Sequence, residues 1–171
     1  MENIKECSVC FTGHRQILPH HMQLIPQRLE YAISWLTRQG FTNFIAGGAV
    51  GFDMLAAEAV LRARQCGAGV TLFLALPCRD QTARWKNPHT LARYERLIRE
   101  ADDVFYLQEA YTATCMHARN RFMVDHSAVC MAYYNNGGGG GTAYTIRYAE
   151  KQGLPIVNLA NSNYMFALAE D

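Results

Sequence analysis

The 171-residue sequence predicts a single α/β domain, with a mainly parallel six-stranded sheet between two layers of helices. Three observations predict it. Short β-rich apolar runs alternate with helical patterns along the whole chain. The runs are continuously apolar rather than alternating, as strands buried on both faces are. Half of the residues are hydrophobic and 18% are charged, enough apolar surface for a sizeable core and too little charge for disorder. This length suits one domain, and no internal repeat or domain boundary interrupts it.

Residues 7–13, CSVCFTG, read as the first strand. A polar, proline-containing loop leads into a helix over 26–39, which Gly40 ends. FTNFIAGGA (41–49) is the second strand and GFDMLAAEAVLRARQCG (51–67) its helix. VTLFLALP (70–77) is the third strand; a long loop over 78–88 precedes the helix HTLARYERLIREA (89–101). DVFYL (103–107) is the fourth strand and ATCMHARNRFMVDHS (113–127) the next helix. AVCMAYY (128–134) is the fifth strand, TAYTIRYAEKQG (142–153) the last long helix and PIVNL (155–159) the sixth strand. Right-handed crossovers and the common doubly wound pattern predict the order 3-2-1-4-5-6, with strands one and four flanking the ligand crevice.

Composition narrows the partners. The formal net charge is +1, so no polyanionic partner is implied and nucleic acid is not expected. Thirteen of the sixteen basic residues are Arg, the side chain suited to bidentate contacts with phosphate or carboxylate and to interfaces. The N-terminal MENIKECSVCF lacks a long apolar core with a cleavage site, and the longest apolar runs are far short of a bilayer span. A soluble, cytoplasmic protein with no membrane partner is expected. Its six cysteines are then reduced thiols. Cys7 and Cys10 form a C-x-x-C, but residues three apart on a strand face opposite sides, and no metal site is predicted. Arg- and Tyr-rich helix faces, LARYERLIRE and TIRYAEKQ, predict a homo-oligomer.

Three strand-to-helix junctions are marked by glycine: TGHR (12–15), GGAVGFD (47–53) and GGGGGT (137–142). Five consecutive glycines are commonly a linker. Here a linker would leave about thirty residues beyond it, fewer than the roughly 40 that fold alone without staples. A turn needs one glycine for geometry; two or five exceed that. In an open parallel sheet, ligands bind beyond the carboxyl ends of the strands. Bare amides at a helix N-terminus there bind anions. A phosphate cradle is therefore predicted, the alternative being a glycine loop without a ligand. Neither G-x-G-x-x-G nor G-x-x-x-x-G-K-[ST] is present.

TGHR, GGAVGFD and RNRFMVDHS…YYNNGGGGGTAYT, in this order over about residues 7–159, resemble the YpsA-like proteins, a bacterial branch of the SLOG superfamily of Rossmann-like proteins. The resemblance implies a Rossmann-like sheet and a nucleotide or nucleotide-derived, ADP-ribose-like ligand, with no other cofactor. A more distant similarity is to the LOG nucleotide phosphoribohydrolases, whose pattern M-H-x-R-K…P-G-G-x-G-T-x-x-E is echoed by Met116, His117, Arg119 and Thr142. Asn120 stands where that pattern has Lys, and Thr145 where it has the catalytic Glu. That departure bears against LOG-type hydrolysis.

Ligand contacts are accordingly expected from Thr12, Gly13, His14 and Arg15; from Gly47, Gly48, Gly51 and Asp53; from Arg119, Asn120 and Asp125; and from Gly138, Gly139, Gly140, Gly141 and Thr142. Each has a plainer alternative. Arg119 either reaches phosphate or ribose or pairs with Asp125 or Glu109. Asn120 reads a hydroxyl or base edge, or caps a turn. Asp125 binds a ribose or caps the fifth strand. Asp53 binds ligand or answers a helix dipole. Thr142 is an N-cap that also touches phosphate. Trp85 stacks on a base or plugs the core, and one of Tyr133 and Tyr134 faces the pocket. No catalytic residue is assigned; Asp53, Asp125 and His14 are the available acids and bases. A nucleotide-binding sensor or carrier accounts for the residues best. The alternatives are a hydrolase of a glycosidic or phosphoester bond in a nucleotide, and a binder of single-stranded nucleic acid.

Overall fold

The computed structural model describes residues 2–135 and 139–168. Its strands are β1 (Ser8–Gly13), β2 (Asn43–Ala46), β3 (Thr71–Leu76), β4 (Asp103–Tyr106), β5 (Val129–Tyr133) and β6 (Ile156–Asn158). Between them run α2 (Leu24–Arg38), α3 (Phe52–Gln65), α4 (Pro88–Glu100), α5 (Cys115–Asp125) and α6 (Gly141–Lys151); a single turn, α1 (Glu2–Lys5), precedes β1. Each predicted strand and long helix is present. The helices follow their apolar spacing: in α2, Ile25, Leu29, Ala32, Ile33 and Leu36 are all buried, the i, i+4, i+7 stripe of a helix that covers a sheet. Asn87 caps α4 by accepting the N–H groups of His89 and Thr90 at 2.9 and 3.4 Å, and Pro88 opens its first turn. The second strand is shorter than expected, so Gly47 and Gly48 belong to the loop that follows it.

All pairings are parallel, in the order β4-β3-β2-β1-β5-β6. This corrects the expected 3-2-1-4-5-6. The fourth strand extends the far edge beside β3, and β5 takes the place beside β1. The reason lies in the two strands themselves. In β5, VCMAY, all five residues are buried, as a central strand requires. β4, DVFY, begins on an exposed Asp103 and leaves Phe105 41% exposed, which only an edge tolerates. The chain therefore reverses its direction of travel between β1 and β5, and that pair flanks the crevice.

Helices α2, α3 and α4 cover one face of the sheet, and α5 and α6 the other. The larger core lies under the first group, around Phe11, Phe44, Leu72, Leu74, Met131 and Tyr133. The smaller lies under the second, where Cys10, Ile45, Ala75 and Cys130 meet Met123, Val124 and Ala149. Cys10 and Cys130 are register partners and buried free thiols. No described helix is long and apolar enough to cross a membrane.

Candidate ligand cleft

Because β1 and β5 are neighbours and both chains leave the sheet at the same edge, the loop after β1 faces the start of α6. A cleft of about 430 Å³ lies between them. Thr12, Gly13, His14 and Arg15 form one wall, Gly139, Gly140, Gly141 and Thr142 a second, and Asp53, Arg119 and Asn120 the floor. Eleven of the predicted residues thus come together.

The first wall is held rigidly. The His14 amide donates to the Tyr133 carbonyl at 3.3 Å, and its own carbonyl accepts the Phe52 amide at 3.1 Å. Its ring lies edge-on to Tyr133 and tilted over Tyr134. Nε2 accepts the Asn135 amide at 3.3 Å, which requires that nitrogen to be unprotonated. Arg15 is exposed and makes no ion pair among the described residues.

The floor holds a buried guanidinium and a buried carboxyl. α5 starts at the cleft and carries Arg119 and Asn120 inward, leaving them 3% and 8% exposed. The Arg119 guanidinium donates to the Gly47 carbonyl, to the Ala75 carbonyl at 3.4 Å and to Asn120 Oδ1 at 2.7 Å. Asp53, 5% exposed, sits in the first turn of α3. Burial pushes its carboxyl up to about 6, against the pull of Arg119 and the amides of Ala49 and Gly47. Burial likewise pushes Arg119 down, and Asp53 holds it up. A side chain at Gly47 would occupy the space of this pair: its Cβ would meet the Arg119 guanidinium and lie 2.7 Å from Asp53 Oδ2. Gly51 is required for a different reason. It opens α3 at φ 92°, with the Arg15 carbonyl where a Cβ would stand.

The second wall is the N-terminus of α6. Its N-cap is Gly140, at φ 112°, and no side chain among the described residues caps the helix. The first amides of a helix have no intrahelical partner, and here they border the cleft. Cβ atoms at Gly139 and Gly140 would meet nothing within 4 Å among the described residues, so the glycines set no side chain over those amides.

Other predicted residues lie elsewhere. Gly47, Gly48 and Gly51 stand behind the cleft and shape it. Gly138 is outside the described residues. Asp125 ends α5, at the opposite end of that helix from the cleft, and accepts the Tyr148 hydroxyl at 2.7 Å. Arg119 pairs with neither Asp125 nor Glu109. Thr142 is not the N-cap, because α6 begins one residue earlier, at Gly141. Tyr133 turns into the core, its hydroxyl held by the Leu18 amide at 3.1 Å and His21 Nδ1 at 2.8 Å; neither tyrosine lines the cleft. Thr145 is fully buried and donates to the Gly141 carbonyl at 2.8 Å, so α6 presents no group at that position to the cleft. Ala49, Tyr111, Ala113, Met116 and His117 complete the lining. The MHARN stretch marked Met116 and His117; Tyr111 and Ala113 carried no signal, since only the crossing of the chain from β4 to β5 brings their loop here.

A doubly wound parallel sheet with a polar cleft at its switch point defines the Rossmann-like class. Within that class the family model YpsA, the YspA SLOG family, matches residues 10–158. The chain belongs to this family. It is 26% identical over 145 residues to the uncharacterized SPbeta prophage-derived protein YoqJ of Bacillus subtilis (strain 168), covering 78% of this chain and 84% of YoqJ. Among solved structures it is similar to DNA processing protein A from Helicobacter pylori, a protein with a single-stranded DNA binding mode, with a TM-score of 0.58 and 20% identity over 87% of this chain and 63% of that one. DNA processing protein A from Streptococcus pneumoniae gives 0.59 and 15%, over 90% and 50%. The TM1055 structure gives 0.54 and 20%, over 87% and 71%. The chain thus spans about half to two thirds of the DNA processing proteins, and these likenesses show the shared fold.

Proposed function

We propose that the cleft binds a nucleotide or nucleotide-derived ligand through its phosphate, and that the protein acts as a sensor or carrier of that ligand. The observation that carries this reading is the uncapped, glycine-covered start of α6 at the cleft, with Arg15 at its mouth. Unpaired amides and the helix dipole attract an anion, and a guanidinium adds a charge-assisted contact. A free nucleotide is favoured over a polynucleotide because the formal net charge is only +1, and four of the thirteen arginines, Arg64, Arg79, Arg93 and Arg96, are ion-paired. A hydrolase is the second reading, favoured by one observation: a carboxyl at about 6 in the cleft is poised for proton transfer near neutral pH.

The test is a thermal-shift screen with nucleotides, ADP-ribose, dinucleotides, ribose 5-phosphate and a thymidine oligomer, on the parent and on Gly139→Val. Gly139 is the position to change, because a side chain there meets nothing within 4 Å among the described residues and its φ is not in the left-handed region, whereas Gly140 at φ 112° would add strain. Ligand at about a hundredfold over Kd adds roughly 2.7 kcal/mol, or roughly 5–10 °C for a chain of this size. Gly139→Val should keep the parent melting temperature and lose the shift. Unchanged binding by Gly139→Val would sink the cradle, and a shift with the oligomer alone would favour a nucleic-acid strand. Release of base or phosphate from a bound nucleotide would establish the hydrolase.

A further inference from the structure

The cleft does not end at the α6 amides. A smaller recess of about 80 Å³ opens from it, with Arg15, Ala49, Tyr111 and Met116 shared between the two. Val50, Cys78, Gln81 and Trp85 close its inner side. Trp85 is braced edge-on by Tyr94, with ring centroids 5.2 Å apart at 76°, so the indole plane is fixed. The Gln81 amide is anchored twice: Oε1 accepts the Tyr94 hydroxyl at 3.3 Å and Nε2 donates to the Gly47 carbonyl at 3.5 Å. A primary amide has two N–H donors, which leaves one for a ligand. Tyr111 stands at the mouth with 61% of its surface exposed. Its amide donates to Asp80 Oδ1 at 2.9 Å, and the Arg79 amide to the Glu109 carbonyl at 3.1 Å. These bonds tie together the two loops that frame the opening.

We propose that this recess is the base subsite of the cleft. A nucleotide would lay its phosphate on the α6 amides and put the edge of its ring beside Trp85, facing Tyr111, with Gln81 donating to a ring acceptor. The inference rests on the nucleotide reading above. Aromatic and aliphatic walls suit the flat face of a base, whereas sugar hydroxyls and phosphate suit the polar main cleft. At about 80 Å³, against about 430 Å³ for the main cleft, the recess suits the edge of one ring.

Titration calorimetry with the four nucleoside 5′-monophosphates and with ribose 5-phosphate tests the assignment on the parent, Trp85→Leu and Tyr111→Ala. At least one nucleotide should bind the parent about tenfold or more tightly than ribose 5-phosphate. Both variants should lose about tenfold for that nucleotide, the scale of base–aromatic stacking, and lose less for ribose 5-phosphate, so that the parent's preference for the nucleotide shrinks. Tyr111→Ala alters an exposed side chain and leaves the fold intact, so the test does not depend on how Trp85→Leu folds. In a Trp35→Phe background Trp85 is the sole indole, and its fluorescence should respond to the nucleotide and not to the sugar phosphate. Equal parent affinities for nucleotide and sugar phosphate, or equal losses of both in Tyr111→Ala, would overturn the base subsite while leaving the phosphate cradle standing. Failure of every one of these compounds to bind the parent would overturn both.

Discussion

The molecule carries two depressions of nearly the same size. The cleft at the β1–β5 switch point measures about 430 Å³, and a groove between α2 and α3 about 420 Å³. Their walls differ in kind. The groove has Ile33, Ala59 and Ala63 at its base, with Glu30, Ser34, Arg38 and Arg62 around it, all four exposed. Solvated side chains beside an apolar seam are what two packed helices leave between them. The cleft instead has a guanidinium and a carboxyl almost wholly withdrawn from water. Such groups are costly to bury, and here they are held by backbone carbonyls and amides placed to receive them. Size does not separate the two depressions; the cost of their linings does.

The comparison can be broken by removing a guanidinium from each. Arg119→Met leaves Asp53 buried without the neighbouring guanidinium and removes one of the two side-chain donors to the Gly47 carbonyl. It should cost about 3–5 kcal/mol, whereas Arg62→Ala at the groove should stay within about 0.5 kcal/mol. Urea unfolding of the two variants reads the difference, and comparable losses would mean that the cleft charge is unremarkable.

Next in size is the response to pH. The Asp53 carboxyl stands near 6 in the folded chain against an ordinary 3.8, a difference of about 3 kcal/mol. Between those two values the folded chain retains a proton that the unfolded chain has released. The contribution of Asp53 is therefore full below pH 3.8, falls as pH rises through about 6, and is flat above. Urea midpoints from pH 4 to 7.5 should show this fall in the parent relative to Asp53→Asn; parallel curves would remove the buried carboxyl from the account.

Glycine sharpens the contrast. Gly47→Ala sets a methyl group against both Arg119 and Asp53 and should destabilise by about 1–3 kcal/mol, the scale of overpacking. Gly69→Ala, where a Cβ meets nothing within 4 Å among the described residues and φ is not in the left-handed region, should change stability by less than about 0.5 kcal/mol. The last effect concerns a buried polar group outside the cleft. The Ser127 hydroxyl has no hydrogen-bond partner among the described residues. Ser127→Ala should raise stability by up to about 1 kcal/mol in thermal unfolding, in contrast to the partnered groups of the cleft.

Much of this was written in the chain itself. Strand and helix identity follows from local spacing, which is why β1 to β6 and α2 to α6 appear where the apolar runs and the 3.6-residue stripes fall. The glycine marks at 12–15, 47–53 and 137–142 pointed to the candidate cleft because each is a local departure from what a turn needs. What the chain did not declare is which strand neighbours which. The place of β5 beside β1 is a choice among non-local pairings, decided by how much apolar surface each strand brings to a centre or an edge. From that pairing follow the union of the TGHR loop with α6 and the arrival of Tyr111 and Ala113. The inward turn of Arg119 also follows from it. Local sequence displays an arginine on a helix; only the tertiary structure supplies the carbonyls of Gly47 and Ala75, 72 and 44 residues away, that make its burial affordable. Asp125 shows the same limit from the other side: six residues beyond Arg119 on one helix, it lies at the opposite end from the cleft, because helical rise separates what sequence proximity joins.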